Sequence, residues 1–96
     1  MTINFKGTEC TVVFTNYASN GNNAITLYEK ETGDPFASAS TNIDITLPYH
    51  NVAIKNWSEN EGMLEVLQAA GIVGSPIMQY PSGMVQIPVC KILKRE

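Results

Sequence analysis

One helix signal interrupts a chain that otherwise alternates like β-structure, and it lies between Lys55 and Gly71. Ser58 and Glu61 stand at capping-box spacing, where the hydroxyl accepts from the third helical N–H and the carboxylate reaches back to the cap. Met63, Leu64, Leu67 and Ala70 then follow helical spacing and make one apolar stripe. Gly71 is the residue type that ends a helix in the left-handed conformation without a Cβ penalty. The pattern predicts one α-helix over 59–70, with Glu61, Glu65 and Gln68 outward. Gly62, near its start, is out of keeping with a helix interior.

The rest reads as strands. Ile3-Asn4-Phe5 alternates and Lys6-Gly7 is a tight turn. In Thr8 to Tyr17, Cys10, Val12 and Phe14 fall on one side, and Thr11, Val13, Thr15 and Tyr17 on the other. Ala18 to Asn23 is a polar turn segment. Ile25 and Leu27 then alternate with Thr26 and Tyr28. Phe36 to Asn42 is a strand of small residues, Ile43, Ile45 and Leu47 continue the alternation, and Val52 to Lys55 leads into the helix. After it, Ile77 to Tyr80 and Met84 to Leu93 form a hairpin, with Tyr80-Pro81-Ser82-Gly83 as its turn. Pro88 lacks a ladder donor, which predicts an edge or bulged position for the last strand. Strands on both sides of one helix predict an α+β fold, a mostly antiparallel sheet of about five to seven strands with the helix packed on one face. The 96 residues form a single domain, 1–96.

Composition narrows the function. Net charge is −3, and the six basic residues are scattered except for Lys91, Lys94 and Arg95. A nucleic-acid binder displaces counterions with a basic stripe, so direct nucleic-acid binding is not expected. No apolar run approaches the roughly 20 residues of a membrane span. No secretory signal is read at the start, so the expected location is cytoplasmic, and Cys10 and Cys90 are expected as free thiols on apolar strand faces.

No pattern names a reaction. His50 is the one histidine, and its pairing with Cys10 or Cys90 as a nucleophile–base set is weighed below an ordinary exposed loop histidine. No metal-ligand spacing, calcium loop or glycine-rich phosphate cradle occurs, so neither cofactor nor metal is expected. Glu61 with Glu65, and Glu31 with Asp34, read as solvated pairs rather than a catalytic carboxylate couple.

What remains is surface. Trp57 reads first as a staple on Leu64 or Met63, and second as a binding anchor. Glu59, Glu61 and Glu65 make an acidic patch favoured by the helix dipole. Tyr17 and Tyr28 are expected to share a sheet face with Val13 and Thr26, opposite the helix. With one helix, that second face must meet water or a partner, either a second copy or a target protein.

The run from Val52 to Val73, with Trp57-Ser58-Glu59-Asn60-Glu61-Gly62 at its centre, and Pro81-Ser82-Gly83 and Ile87-Pro88-Val89-Cys90 downstream, resembles a family of small uncharacterised proteins. These are encoded by phages and other mobile elements and form a domain of unknown function. The resemblance implies a non-enzymatic protein in a bacterial host that binds a host or defence protein. Size and setting give the analogy with anti-CRISPR inhibitors. Trp57, Glu59, Glu61, Glu65, Tyr17 and Tyr28 are the expected partner-binding residues, with a homodimer as one arrangement. The alternatives are an oligomer that sequesters a small molecule or nucleotide, a minor virion component, and an enzyme built on cysteine and His50.

Overall fold

The computed structural model describes residues 1–95 and has an α+β architecture. Seven strands form two antiparallel sheets: β1 (Thr2–Phe5), β2 (Thr8–Asn16), β3 (Asn23–Glu29) and β4 (Pro35–Ser38) in the first, β5 (Asn51–Ala53), β7 (Val85–Ile92) and β6 (Val73–Ser82) in the second. Between β5 and β6 lie a 3-10 turn, Ser58–Asn60, and the helix α1, Met63–Ala69.

Alternation sets the first sheet. Ile3, Cys10, Val12, Ile25 and Leu27 point into the core, and register pairs Thr11 with Tyr28 and Val13 with Thr26 on the other face. The β1–β2 turn is Lys6-Gly7, both at positive φ, as a two-residue hairpin loop requires. Residues 39–41 then join the sheets. Ala39 donates to Ile25, while Thr41 donates to Ala53 and Lys55 donates to Ala39 on the β5 side. Strand order thus continues from β4 across the Ser40–Ile54 bridge into β5, β7 and β6. The helix packs against β1 and β6, the strands at the two ends of that order. Met63 and Leu67 fill the core between both sheets, and Cys10 and Cys90 share it.

The helix differs in detail from the capping-box expectation. Ser58 opens the 3-10 turn at φ 55, neither cap makes a side-chain hydrogen bond, and Gly62 stands before α1 at φ 95, where other residues are strained. Helical bonding therefore restarts at Met63. The acceptor that serves the helix start is Asn56 Oδ1, which takes the Leu64 N–H at 2.8 Å. The end is as expected: Ile72 donates to Leu67 and Gly71 to Gln68, the paired bonds of a Schellman motif.

Pro88 lies in a central strand, not at an edge. Ile54 donates to the Pro88 carbonyl, so the even residues of β7 face β5, and the missing donor of Pro88 falls where β5 has ended. The hairpin turn is Gly83-Met84, between the paired Ser82 and Val85. Pro81 lies within β6, with its nitrogen toward the open edge that proline tolerates.

Ile43, Ile45 and Leu47 do not form a strand. Residues 41–50 run irregularly over the outer face of the second sheet, where Ile43 and Leu47 pack with Ala53, Ile87, Val89, Trp57 and Tyr80 in a second core. Asparagine side chains replace strand partners. Asn20 donates to Ile43, Asn22 donates to Ile45 and accepts from Leu47, and Asn23 donates to the Tyr49 and Asn51 carbonyls. Asn22 and Asn23 are each only 4% exposed. Asn60, buried beneath the 3-10 turn, likewise donates to the carbonyls of Ser38 and Lys55.

Replacing Asn22 by Ala leaves the Leu47 N–H and Ile45 carbonyl without their partner. Urea denaturation is expected to show a loss of about 2–4 kcal/mol. Thr15→Ala, at an exposed strand position, is expected to change stability by less than about 0.5 kcal/mol.

Candidate partner-binding surfaces

The six residues singled out from sequence fall in three places. Tyr28 lies on the outer face of the first sheet, directly opposite Thr11 and beside the Val13–Thr26 pair. All four side chains are half-buried, and neither buried cluster extends over them. Tyr17 does not join them freely. It follows the end of β2, and its hydroxyl lies 2.9 Å from Ser40 Oγ, which also accepts from the Ile25 N–H. Tyr17 therefore helps fasten the seam between the sheets.

Trp57 is half-buried against the second core together with Tyr80 and Val85. It is not placed as a staple on α1, because the 3-10 turn and Gly62 intervene before the helix begins. Glu59 follows it and is ion-paired to Lys55 at 2.7 Å, while Lys6 Nζ donates to the Glu59 carbonyl at 2.7 Å. The hydrogen bond from Lys55 holds the Glu59 carboxyl below the usual carboxylate range. Glu61 and Glu65 are exposed and form no ion pair with the described residues. The acidic patch thus has one neutralised member and two available ones.

Sequence reasoning passed over the surface where β5 meets the end of β7. Tyr49 and His50 come beside Lys91, Leu93, Lys94 and Arg95, around an open cleft of about 430 Å³. The tail's basic residues were visible as a cluster. Their aromatic neighbours follow only from the pairing of Asn51 with Lys91 and the bond from Ile92 to the His50 carbonyl. Two further hollows lie at the rim of the first sheet, one beside Glu9, Glu29 and Glu31, the other between Phe5, Phe36 and Lys55. Among the described residues, no three His, Cys, Asp or Glu side chains converge as metal ligands, and no helix is long and apolar enough to cross a membrane.

The thiols weighed as nucleophiles are both free and buried in the core, whereas His50 is exposed and sits edge-on to Tyr49 at 4.8 Å between ring centres. No hydrogen bond joins either thiol to the imidazole. Burial pushes both thiols up, Cys90 to about 11 from an ordinary value of 9.0. The folded state then keeps the Cys90 proton where the unfolded chain has lost it. Its contribution is full below pH 9 and disappears as pH rises towards 11. Over that window wild type is expected to lose about 2 kcal/mol more stability than Cys90→Ala. Urea midpoints of the two proteins at a series of pH values check this.

Comparison with family models, with curated proteins and with solved structures finds no match to this chain.

Proposed function

We propose that this chain is a small non-enzymatic protein-binding module of a phage or mobile element, acting as an inhibitor of a host or defence protein in the manner of an anti-CRISPR. The observation that supports this reading is the outer face of the first sheet. Thr11, Val13, Thr26 and Tyr28 make an in-register platform with no second core over it. Side chains of this kind suit a docking face. β-branched residues have restricted χ1 angles and a tyrosine has few rotamers, so little side-chain entropy is lost on contact. The ring also brings a large apolar area with a polar tip.

The exposed pair Glu61 and Glu65 gives the module a second recognition element. On an acidic chain these charges steer approach to a basic target and act mainly on the association rate. Trp57 contributes by fixing the 3-10 turn on the second core, which positions Glu59 and Glu61 behind it.

The test is capture from bacterial host lysate with tagged wild type beside a Val13→Lys/Tyr28→Ala variant of unchanged unfolding midpoint. One protein retained stoichiometrically by wild type, and at least about tenfold less by the variant, is the expected outcome. No protein above the tag-only control, or equal retention by the variant, contradicts the assignment of this face. Glu61→Lys/Glu65→Lys is expected to slow association several-fold at low salt and to leave dissociation nearly unchanged.

A further inference from the structure

The strongest unassigned feature is the cleft at the end of β7. Half of the chain's six basic residues, Lys91, Lys94 and Arg95, line it with His50 and Tyr49, and among the described residues no acidic side chain is in its lining. On a chain of net charge −3, this is a local reversal of sign. We propose that the cleft binds a nucleoside phosphate, its phosphate held by Lys91, Lys94 and Arg95 and its base laid against Tyr49. This goes beyond the protein-binding reading and uses none of the residues on which that reading rests.

The geometry of Arg95 carries the argument. Its Nη2 donates to Asn23 Oδ1 at 3.0 Å and to the Tyr49 carbonyl at 3.4 Å, and its guanidinium lies over the rings of Tyr49 and Phe14 at 5.5 and 5.8 Å. Asn23 is itself fixed, because its amide nitrogen donates to the carbonyls of Tyr49 and Asn51. The positive charge is therefore oriented by an amide, a carbonyl and two rings, and none of these neutralises it. An arginine ordered in advance loses less freedom when an anion arrives, and its remaining donors suit phosphate oxygens. Lys91 and Lys94 are exposed and make no ion pair with the described residues.

Two further observations select the ligand class. Tyr49 is 74% exposed beside these cations, and its ring offers a surface on which a base can stack. The acidic remainder of the chain also disfavours a long polyanion, whose binding needs many phosphate contacts.

The experiment is calorimetric titration of the full chain at low salt with AMP, GMP, inorganic phosphate and polyglutamate. AMP or GMP is expected to bind at least about tenfold more tightly than inorganic phosphate. Lys91→Glu/Lys94→Glu is expected to weaken nucleotide binding at least about tenfold with an unchanged unfolding midpoint. Tyr49→Ala keeps the carbonyl that Asn23 and Arg95 use but removes one of the two rings beside Arg95, and is expected to weaken nucleotides about tenfold and phosphate by clearly less. Absence of nucleotide binding below about 1 mM overturns the proposal. So does equal binding of nucleotide and phosphate with no effect of Tyr49→Ala, or polyglutamate binding more tightly than either nucleotide.

Discussion

The carboxamide of Asn22 holds together parts of the molecule that the backbone ladder does not reach. It donates to Ile45 and Asn42 and accepts from Leu47, so it takes the place of a neighbouring strand for a segment that has none. Without this partner the buried Leu47 N–H would be left unpaired under the second core, at roughly 1–3 kcal/mol. With it, Ile43 and Leu47 can cover Ala53, Ile87 and Val89, and the second sheet is closed on both faces. Asn23 continues the arrangement to Tyr49, Asn51 and Arg95, and Asn60 repeats it under the 3-10 turn. Every buried side-chain nitrogen and oxygen among the described residues has a partner.

This division explains what was legible in the sequence. Where side chains decide the conformation by alternation, the reading follows the structure: β2 and β3 bury Cys10, Val12, Ile25 and Leu27 and leave Thr11, Val13, Thr26 and Tyr28 outward. Met63 and Leu67 face the core, and Gly71 ends the helix as its type requires. The reading fails where one polar side chain serves backbone far away in sequence. Asn20, Asn22 and Asn23 look like turn residues, and Ile43-Asp44-Ile45-Thr46-Leu47 looks like a strand. Only the tertiary placement of the first group over the second shows that they are partners. The capping box fails similarly, since Asn56, rather than Ser58, meets the first turn of α1.

The same contrast holds for the surfaces. The outer face of β2 and β3 and the exposed Glu61 and Glu65 were visible as local patterns. The involvement of Tyr17 with Ser40, the seating of Trp57 on the second core and the cleft around Arg95 all depend on residues 23–72 positions away in the chain or on strand pairings between distant segments. Charge is distributed accordingly. Acidic side chains lie at the helix start and around the first sheet's rim, while the cationic cleft sits at the end of β7, held by the Asn23 network. The proposed docking face and the proposed anion cleft thus share no side chains.

The central claim is that asparagine side chains, not strand neighbours, fasten residues 43–49. Amide hydrogen exchange at Leu47 tests it most directly, since its N–H is bonded only to the Asn22 side chain among the described residues. Leu47 is expected to be protected comparably with Val12 and Leu27 in the first sheet, and to lose that protection in Asn22→Ala while those strand amides stay protected. Exchange of Leu47 at the rate of an open loop in the wild-type protein would contradict the claim.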